Sequence, residues 1–445
     1  MHTNAALTDL ITSTATDHHE STIALLQSLI RVPSVNPYFT NDESPSREGE
    51  VQDILAARLE PLGATLDRWE PSAAELAKHA GGPGYYPDRD FRGRPNLVAT
   101  LPGSGGGQSL MLLGHADVVS PGDGWAGDPF AAERRDGKIY GRGAADMKAG
   151  MAAAVSALEV LRAAGVRLRG DVLLASVVDE EAGGLGTLAV VDRGYRAAGA
   201  IIPEPTDLNV APLCRGILWG RVTIPGRASH IEMPQPHWRD GGAVDAIPLG
   251  RMVLDAIDAL NARWAADPAK RHPLLPLPCQ VCVSMLDAGE FPTAYAGQMR
   301  ITFDAQYLPP EKDERQLGGR VKAELESFFH EVAQSNDWLR ENPPTLEWLV
   351  DADCGETPAD HPLPQLLLRA AHTAGARSRM EGMSSHTDMG LLVNAGIPTV
   401  NFGPGAPSVA HQPDEHVAER DLHQATVALA LTIAEWCGFD LASQP

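Results

Sequence analysis

Two histidines and a set of carboxylates fall at one kind of place in this 445-residue sequence: just past the end of a short apolar run. His115 and Asp117 follow the run ending at Gly114, and Asp179, Glu180 and Glu181 follow the run ending at Val178. Glu204 comes just after Ile201 and Ile202, and His411 lies in the loop after the run ending at Phe402. Asp146 joins them from the start of an alanine-rich stretch, in the run Gly141 to Lys148. Such a set offers the nitrogen and oxygen donors expected for Zn²⁺ or a similar first-row ion. Two ions need one shared ligand. A carboxylate can bridge metals about 3.5 to 4 Å apart, a clamp able to polarise a carbonyl and generate hydroxide from water. Asp146 is the natural bridge. Singly, each residue has a plain reading, a satisfied loop histidine or a solvated Glu-Glu turn; the full set does not reduce to these.

Other motifs fail on their own chemistry. His330-Glu331 is followed by Val332, Ala333 and Gln334, so the second histidine of a zincin helix is missing. The run Gly382 to His386 lacks the closing glycine of a nucleophile elbow. Gly103 to Gly107 precedes a strand instead of following one and reads as a turn. Cys279 and Cys282 form a lone C-x-x-C; an offset of three in a strand puts the thiols on opposite faces, so both read as packing residues.

The elements that must position these groups alternate. Helical periodicity runs from about residue 17 to 31 and stops at Pro33; residues 71–94, rich in Gly, Pro and charge, read as an irregular excursion with no evident chemistry. Strands at 109–113, 171–178 and 199–202 alternate with helices at 144–164, closed by Gly165, and at 187–192. This order predicts an α/β domain with a mostly parallel sheet covered by helices on both faces, in which ligands sit beyond the strands' C-terminal ends. After Cys214 the texture changes to β, α, β, β, α (221–224, 244–261, 279–285, 298–308, 320–333), a small α+β domain with an antiparallel sheet. The α/β texture returns at 361–374 and 397–402. The expected division is 1–215 and 351–445 for a catalytic metal-binding domain in two segments, with 216–350 inserted.

Composition excludes other classes. The chain is 43% hydrophobic and 21% charged, an ordinary globular balance, and its net charge of −22 repels phosphate backbones, which argues against a nucleic-acid partner. Five scattered cysteines are not a disulfide framework, and no stretch of about 18 apolar residues or basic-then-apolar leader occurs. The expectation is a soluble cytoplasmic protein with no membrane partner.

The sequence resembles the M20 family of co-catalytic metallohydrolases, with acetylornithine deacetylase, succinyl-diaminopimelate desuccinylase, aminoacylases and glutamate carboxypeptidases among its members. The matching stretches, in the family's order, are LLGHADVV (112–119), W…DPF…DGKIYGRGAADMKAG (125–150), VVDEEAGGLGT (177–187), IIPEPTD (201–207), GRASH (226–230), GIPTVNFGPG and AHQPDEHV (396–417). The resemblance implies two Zn²⁺, with Co²⁺ or Mn²⁺ as substitutes: His115, Asp146 and Glu204 on one, Asp146, Glu181 and His411 on the other. It implies Glu180 as general base, Asp117 as the group hydrogen-bonding the histidine ligand, and His230 as a residue that reaches the partner subunit's site to stabilise the oxyanion. The insert would then be a dimerisation domain. Three ligand carboxylates against two divalent ions leave a formal +1, which welcomes hydroxide and an anionic substrate group.

The implied reaction is hydrolysis of the N-acyl amide of a small N-acylated amino acid or amine, by attack of a metal-bridging water. A metallo-exopeptidase, a catalytically dead binding protein and a single-metal redox site are the alternatives. The chain departs from the family at Asp304, Ala305, Gln306, where many members carry Asp-x-Arg and the arginine holds a substrate carboxylate; Gln306 cannot form that charged fork. The motif near Asp245 also differs. Ser384 to Asp388 resemble a specificity region and read equally well as polar turn residues.

Overall fold

The computed structural model describes residues 5–38 and 46–441. They divide into two compact units, one comprising residues 5–38, 46–214, 355–383 and 387–441, the other residues 215–354 and 384–386.

The larger unit is built on a six-stranded sheet, ordered Thr65–Trp69, Asn96–Leu101, Val172–Val177, Leu110–His115, Gly199–Ile202, Thr399–Asn401. The last four strands are mutually parallel, and the first two join antiparallel at one edge. Alternate residues of the near-continuous apolar strands face opposite sides, as the two-residue strand period requires. Leu110 and Leu112 pack with the helices Ala5–Ile30, Ala149–Ala163, Pro362–Thr373 and Glu419–Cys437. Met111 and Leu113 pack on the other face with Val190 of the Leu185–Asp192 helix and with Met389 and Leu392 of the Met389–Asn394 helix. The sheet is thus mostly parallel with helices on both faces, as expected.

Register brings the strand ends level. His115 is opposite Val177, and Ile202 is opposite Asn401, so the residues that follow these strands emerge along one rim. The alanine-rich stretch is not one helix from 144. Asp146 (φ −113°, ψ 97°) and Met147 (φ −129°, ψ 32°) leave helical geometry, and the regular helix starts at Ala149. The main-chain N–H groups of Ala145 and Asp146 are satisfied there by the buried Glu415 carboxylate, which releases them from the helical ladder. At Gly150 this helix passes so close to Pro203 that an added Cβ would lie 1.8 Å from the Pro203 carbonyl oxygen.

The smaller unit carries a four-stranded antiparallel sheet ordered Val281–Ala288, Gln298–Tyr307, Gly216–Pro225, Thr345–Ala352, with the helices Ala246–Ala266 and Gly319–Gln334. The sequence reading lacked the fourth strand. Its residues, Thr345, Glu347 and Asp351 among them, alternate polar with apolar too weakly to stand out.

Candidate metal centre

His115 ends its strand and is almost wholly buried. Its Nε2 lies 3.2 Å from Asp146 Oδ1 and 3.9 Å from both Glu204 Oε1 and Glu180 Oε2. His411, reached through a loop and held at φ +60°, lies with Nε2 3.3 Å from Asp146 Oδ2 and 3.2 Å from Glu181 Oε2. The two oxygens of Asp146 therefore face two different histidines. Glu204 sits on the His115 side and Glu181 on the His411 side.

The donor set fits divalent metal. Ligand atoms of His115, Asp146 and Glu181 all lie within 4.8 Å of one another, and Glu181 Oε1 is buried with no hydrogen-bond partner. A buried carboxylate oxygen without a donor is costly unless something charged meets it. All five donors are the nitrogen and oxygen atoms that zinc accepts.

Electrostatics say the same in terms of protons. Burial pushes the Glu180 and Glu204 carboxyls well above the usual range, with neighbouring acids adding to the push. Contacts with Asp146 and Glu181 raise His411 to about 11. Burial opposes the His115 cation, yet Asp146, Glu180 and Glu204 hold its pKa well above 6.5. Burial likewise works against the Asp146 anion, and the two histidines outweigh it and hold that carboxyl low.

Asp117 is completely buried behind this rim. The hydrogen bond to His115 Nδ1 is accepted by the Asp117 main-chain carbonyl at 2.8 Å, while its carboxylate stands 3.7 Å away. The carboxylate is occupied elsewhere: it accepts from the main-chain N–H of Glu180 (3.3 Å) and Glu181 (3.1 Å) and from Asn36 Nδ2 (2.8 Å). It therefore holds the turn that presents both glutamates. His230 lies in the smaller unit, exposed, with Nδ1 accepting from the Glu232 N–H. Asp388 accepts from Thr187 Oγ1 at 2.5 Å, and burial raises its pKa to about 7.

One expectation needs correcting. The 71–94 excursion does carry site chemistry, because Arg89 and Arg94 both reach the buried Asp179 carboxylate, at 3.4 and 3.3 Å. Arg94 also forks onto Glu48, itself fully buried, and Arg89 donates to the Ala182 carbonyl. Asp179, at φ +70°, opens the Glu180–Glu181 turn from the left-handed region that non-glycine residues seldom occupy. The buried Arg94 and the partly buried Arg89 beside it fix that conformation. The only signal in the sequence was three arginines, Arg89, Arg92 and Arg94, in a glycine- and proline-rich stretch, which a solvated loop explains equally well.

The model of peptidase family M20/M25/M40 matches residues 111–435. The chain belongs to this family. The M20 enzyme is 30% identical over 438 residues to N-formyl-4-amino-5-aminomethyl-2-methylpyrimidine deformylase of Halalkalibacterium halodurans, covering 94% of this chain and 95% of that one. It is 30% identical over 394 residues to acetylornithine deacetylase of Myxococcus xanthus, covering 87% and 92%. Its fold is also that of the dipeptidase Dug1p of Saccharomyces cerevisiae, with a TM-score of 0.71 at 14% identity, over 97% of this chain and 98% of that one. As a member of this family the chain is a hydrolase of amide bonds, and the family depends on metal. Among the described residues, no helix is long and apolar enough to cross a membrane.

Proposed function

We propose that this M20 enzyme hydrolyses the N-acyl amide bond of a small N-acylated amine, N-formyl and N-acetyl compounds first, with two divalent ions, zinc foremost, in its site. The observation that carries the reading is the division of Asp146 between His115 and His411, with Glu204 beside one and Glu181 beside the other. In this assignment His115, Asp146 and Glu204 hold one ion, and Asp146, Glu181 and His411 hold the second. When bound, the pair supplies Lewis acidity, which polarises a carbonyl and acidifies a water.

The chain's own residues do the rest. Glu180 is largely buried and its carboxyl is pushed up, which suits a general base that must also return its proton. It takes a proton from the attacking water and hands it to the departing nitrogen. The new C–O bond gives a carboxylic acid, the C–N bond breaks, and an amine leaves. Asp117 keeps Glu180 and Glu181 in place through their main-chain N–H groups.

The amine side of the substrate is argued from the deformylase similarity and from position 306. There the Gln306 amide oxygen accepts from the buried Arg215 guanidinium at 2.6 Å, and Arg215 is further spent on the carbonyls of Leu277 and Pro278. No charged fork for a substrate carboxylate remains at that position, which favours an amine without an α-carboxylate. The discriminating experiment is a panel of N-formyl, N-acetyl and N-succinyl amines and amino acids, run beside dipeptides, on zinc-loaded protein. N-formyl or N-acetyl amines are expected to have the highest kcat/KM; faster turnover of dipeptides would overturn the reading.

The smaller unit is proposed as a homodimer interface, with His230 contributing to the oxyanion site of the partner. Ile231, Met233, Ile247, Leu277, Met285, Leu286 and Phe291 are large apolar side chains left exposed on that unit, and Met285 and Leu286 lie on its edge strand. An exposed apolar edge invites pairing with another chain. Sedimentation of the parent and of Leu286→Lys tests it: a dimer that dissociates in the variant is expected, and a monomeric parent would refute it. Five free cysteines, four of them buried, fit a reducing cytoplasmic setting.

A further inference from the structure

Glu415 lies four residues beyond His411, outside the ligand set, and is completely buried. Both of its carboxylate oxygens are filled. Oε1 accepts from the main-chain N–H of Ala145 (2.8 Å) and Asp146 (3.0 Å); Oε2 accepts from the Gly143 N–H (3.2 Å) and Arg142 Nη1 (2.5 Å). The Glu415 main-chain carbonyl accepts in addition from the Gly141 N–H at 2.9 Å. Arg142, equally buried, is fixed by the Pro121 carbonyl and lies over the Trp125 ring. Immediately beyond Glu415, His416–Ala418 pairs antiparallel with Lys138–Tyr140. The His411 loop and the Asp146 loop are thus joined by a short ladder that ends in this carboxylate.

We propose that Glu415 is the positioning residue of the metal centre: it fixes the main chain from Gly143 to Asp146 so that the Asp146 carboxylate faces both histidines before any metal binds. This rests on the reading of Asp146 and His411 as ligands. Main-chain N–H groups converging on one point form a concavity that attracts an anion. A carboxylate taken out of water there is tolerable because each oxygen meets two donors, and Oε2 has a guanidinium as one of its two. Turning the Asp146 main chain would strip donors from a buried charge, so the loop is stiff where it leaves helical geometry. The same side chain ties that loop to the segment bearing His411, and one carboxylate thereby sets the spacing of both ligands.

Glu415→Gln keeps the shape and turns one oxygen into an amide nitrogen whose hydrogens meet N–H donors. Three readouts separate positioning from general support: Zn²⁺ affinity of the metal-free protein by competition with a chromophoric chelator, the visible spectrum of the Co²⁺ form, and kcat against KM. The expected result is about 10–100-fold weaker metal binding, a changed Co²⁺ spectrum, and a fall in kcat with KM nearly constant. A folded variant with affinity, spectrum and kcat within about twofold of the parent overturns the proposal. Should the variant not fold, hydrogen exchange on the metal-free parent decides. The Ala145 and Asp146 amides are expected to be protected about 100-fold or more, and exchange at the rate of an open loop overturns the proposal. A parent that takes up no metal would sink the ligand reading itself, an outcome distinct from an unaltered Glu415→Gln.

Discussion

Arg94→Met removes a cation that is 4% exposed and stands between two carboxylates with no exposure at all, Glu48 and Asp179. Arg89 remains 3.4 Å from Asp179, so the larger loss falls on Glu48, which among the described residues keeps the Ser46 hydroxyl at 2.9 Å. Burial raises the Glu48 pKa to about 7 even while Arg94 pulls it down, against 4.5 in the unfolded chain. A carboxyl raised in the folded state holds a proton that the unfolded state has shed. Its stabilising contribution is complete below pH 4.5 and declines by about 1.4 kcal/mol per pH unit until Glu48 ionises near 7. Without Arg94 the folded carboxyl stays protonated to higher pH, and the decline continues.

Parent and variant therefore diverge above pH 7, by up to about 1.4 kcal/mol at pH 8 and up to about 2.7 kcal/mol at pH 9 where the variant's carboxyl is still protonated. Losing the guanidinium's hydrogen bonds adds about 1–2 kcal/mol at every pH. The total near pH 9, about 4 kcal/mol, is what breaking a buried ion pair typically costs. Urea denaturation of both proteins at pH 6, 7, 8 and 9, in one metal state, measures the gap. A gap that is constant across this range would refute the coupling of Glu48 to Arg94. Adding Glu48→Gln to the variant should remove the part of the pH dependence that comes from Glu48 and leave only the smaller part from Asp179, which Arg89 still faces.

Three further outcomes are expected. Asp117→Asn turns an amide nitrogen toward the N–H donors of Asn36, Glu180 and Glu181, and should weaken metal binding about 10–100-fold by chelator competition. Gly150→Ala, which helix propensity alone would favour, should instead destabilise by about 1–3 kcal/mol or more in denaturant titrations and, with Glu204 as the proposed ligand, loosen metal, since the new Cβ meets the Pro203 carbonyl. Metal uptake should release protons and strengthen with rising pH, because His115 and His411 hold theirs tightly in the metal-free chain; calorimetry in buffers of different ionisation enthalpy reads the number released.

The rim of the site was legible because it follows from local patterns. Apolar runs end where His115, Glu180, Glu204 and His411 begin to matter, and a parallel sheet brings such ends level. What stood behind the rim was not legible. Asn36 meets Asp117 from 81 residues away, Arg94 meets Asp179 across 85, and Glu415 meets Asp146 across 269. Such pairings are set by tertiary packing, and the residues at each end have an ordinary local reading as loop polar groups. The break at Asp146 was hidden for a related reason: alanine-rich sequence favours helix, and the acceptor that draws the N–H groups away lies in a distant segment. The Asp117 carboxylate likewise had a nearer apparent partner in His115 than the main-chain N–H groups it serves.

The most direct measurement is the rate of amide hydrolysis by Glu180→Gln at a metal content equal to the parent's. Gln keeps the side chain's shape and cannot take the water's proton, so the expected result is a kcat lower by about 10²–10⁴ with both ions retained. Hydrolysis at the parent rate would contradict the assignment of Glu180 as general base.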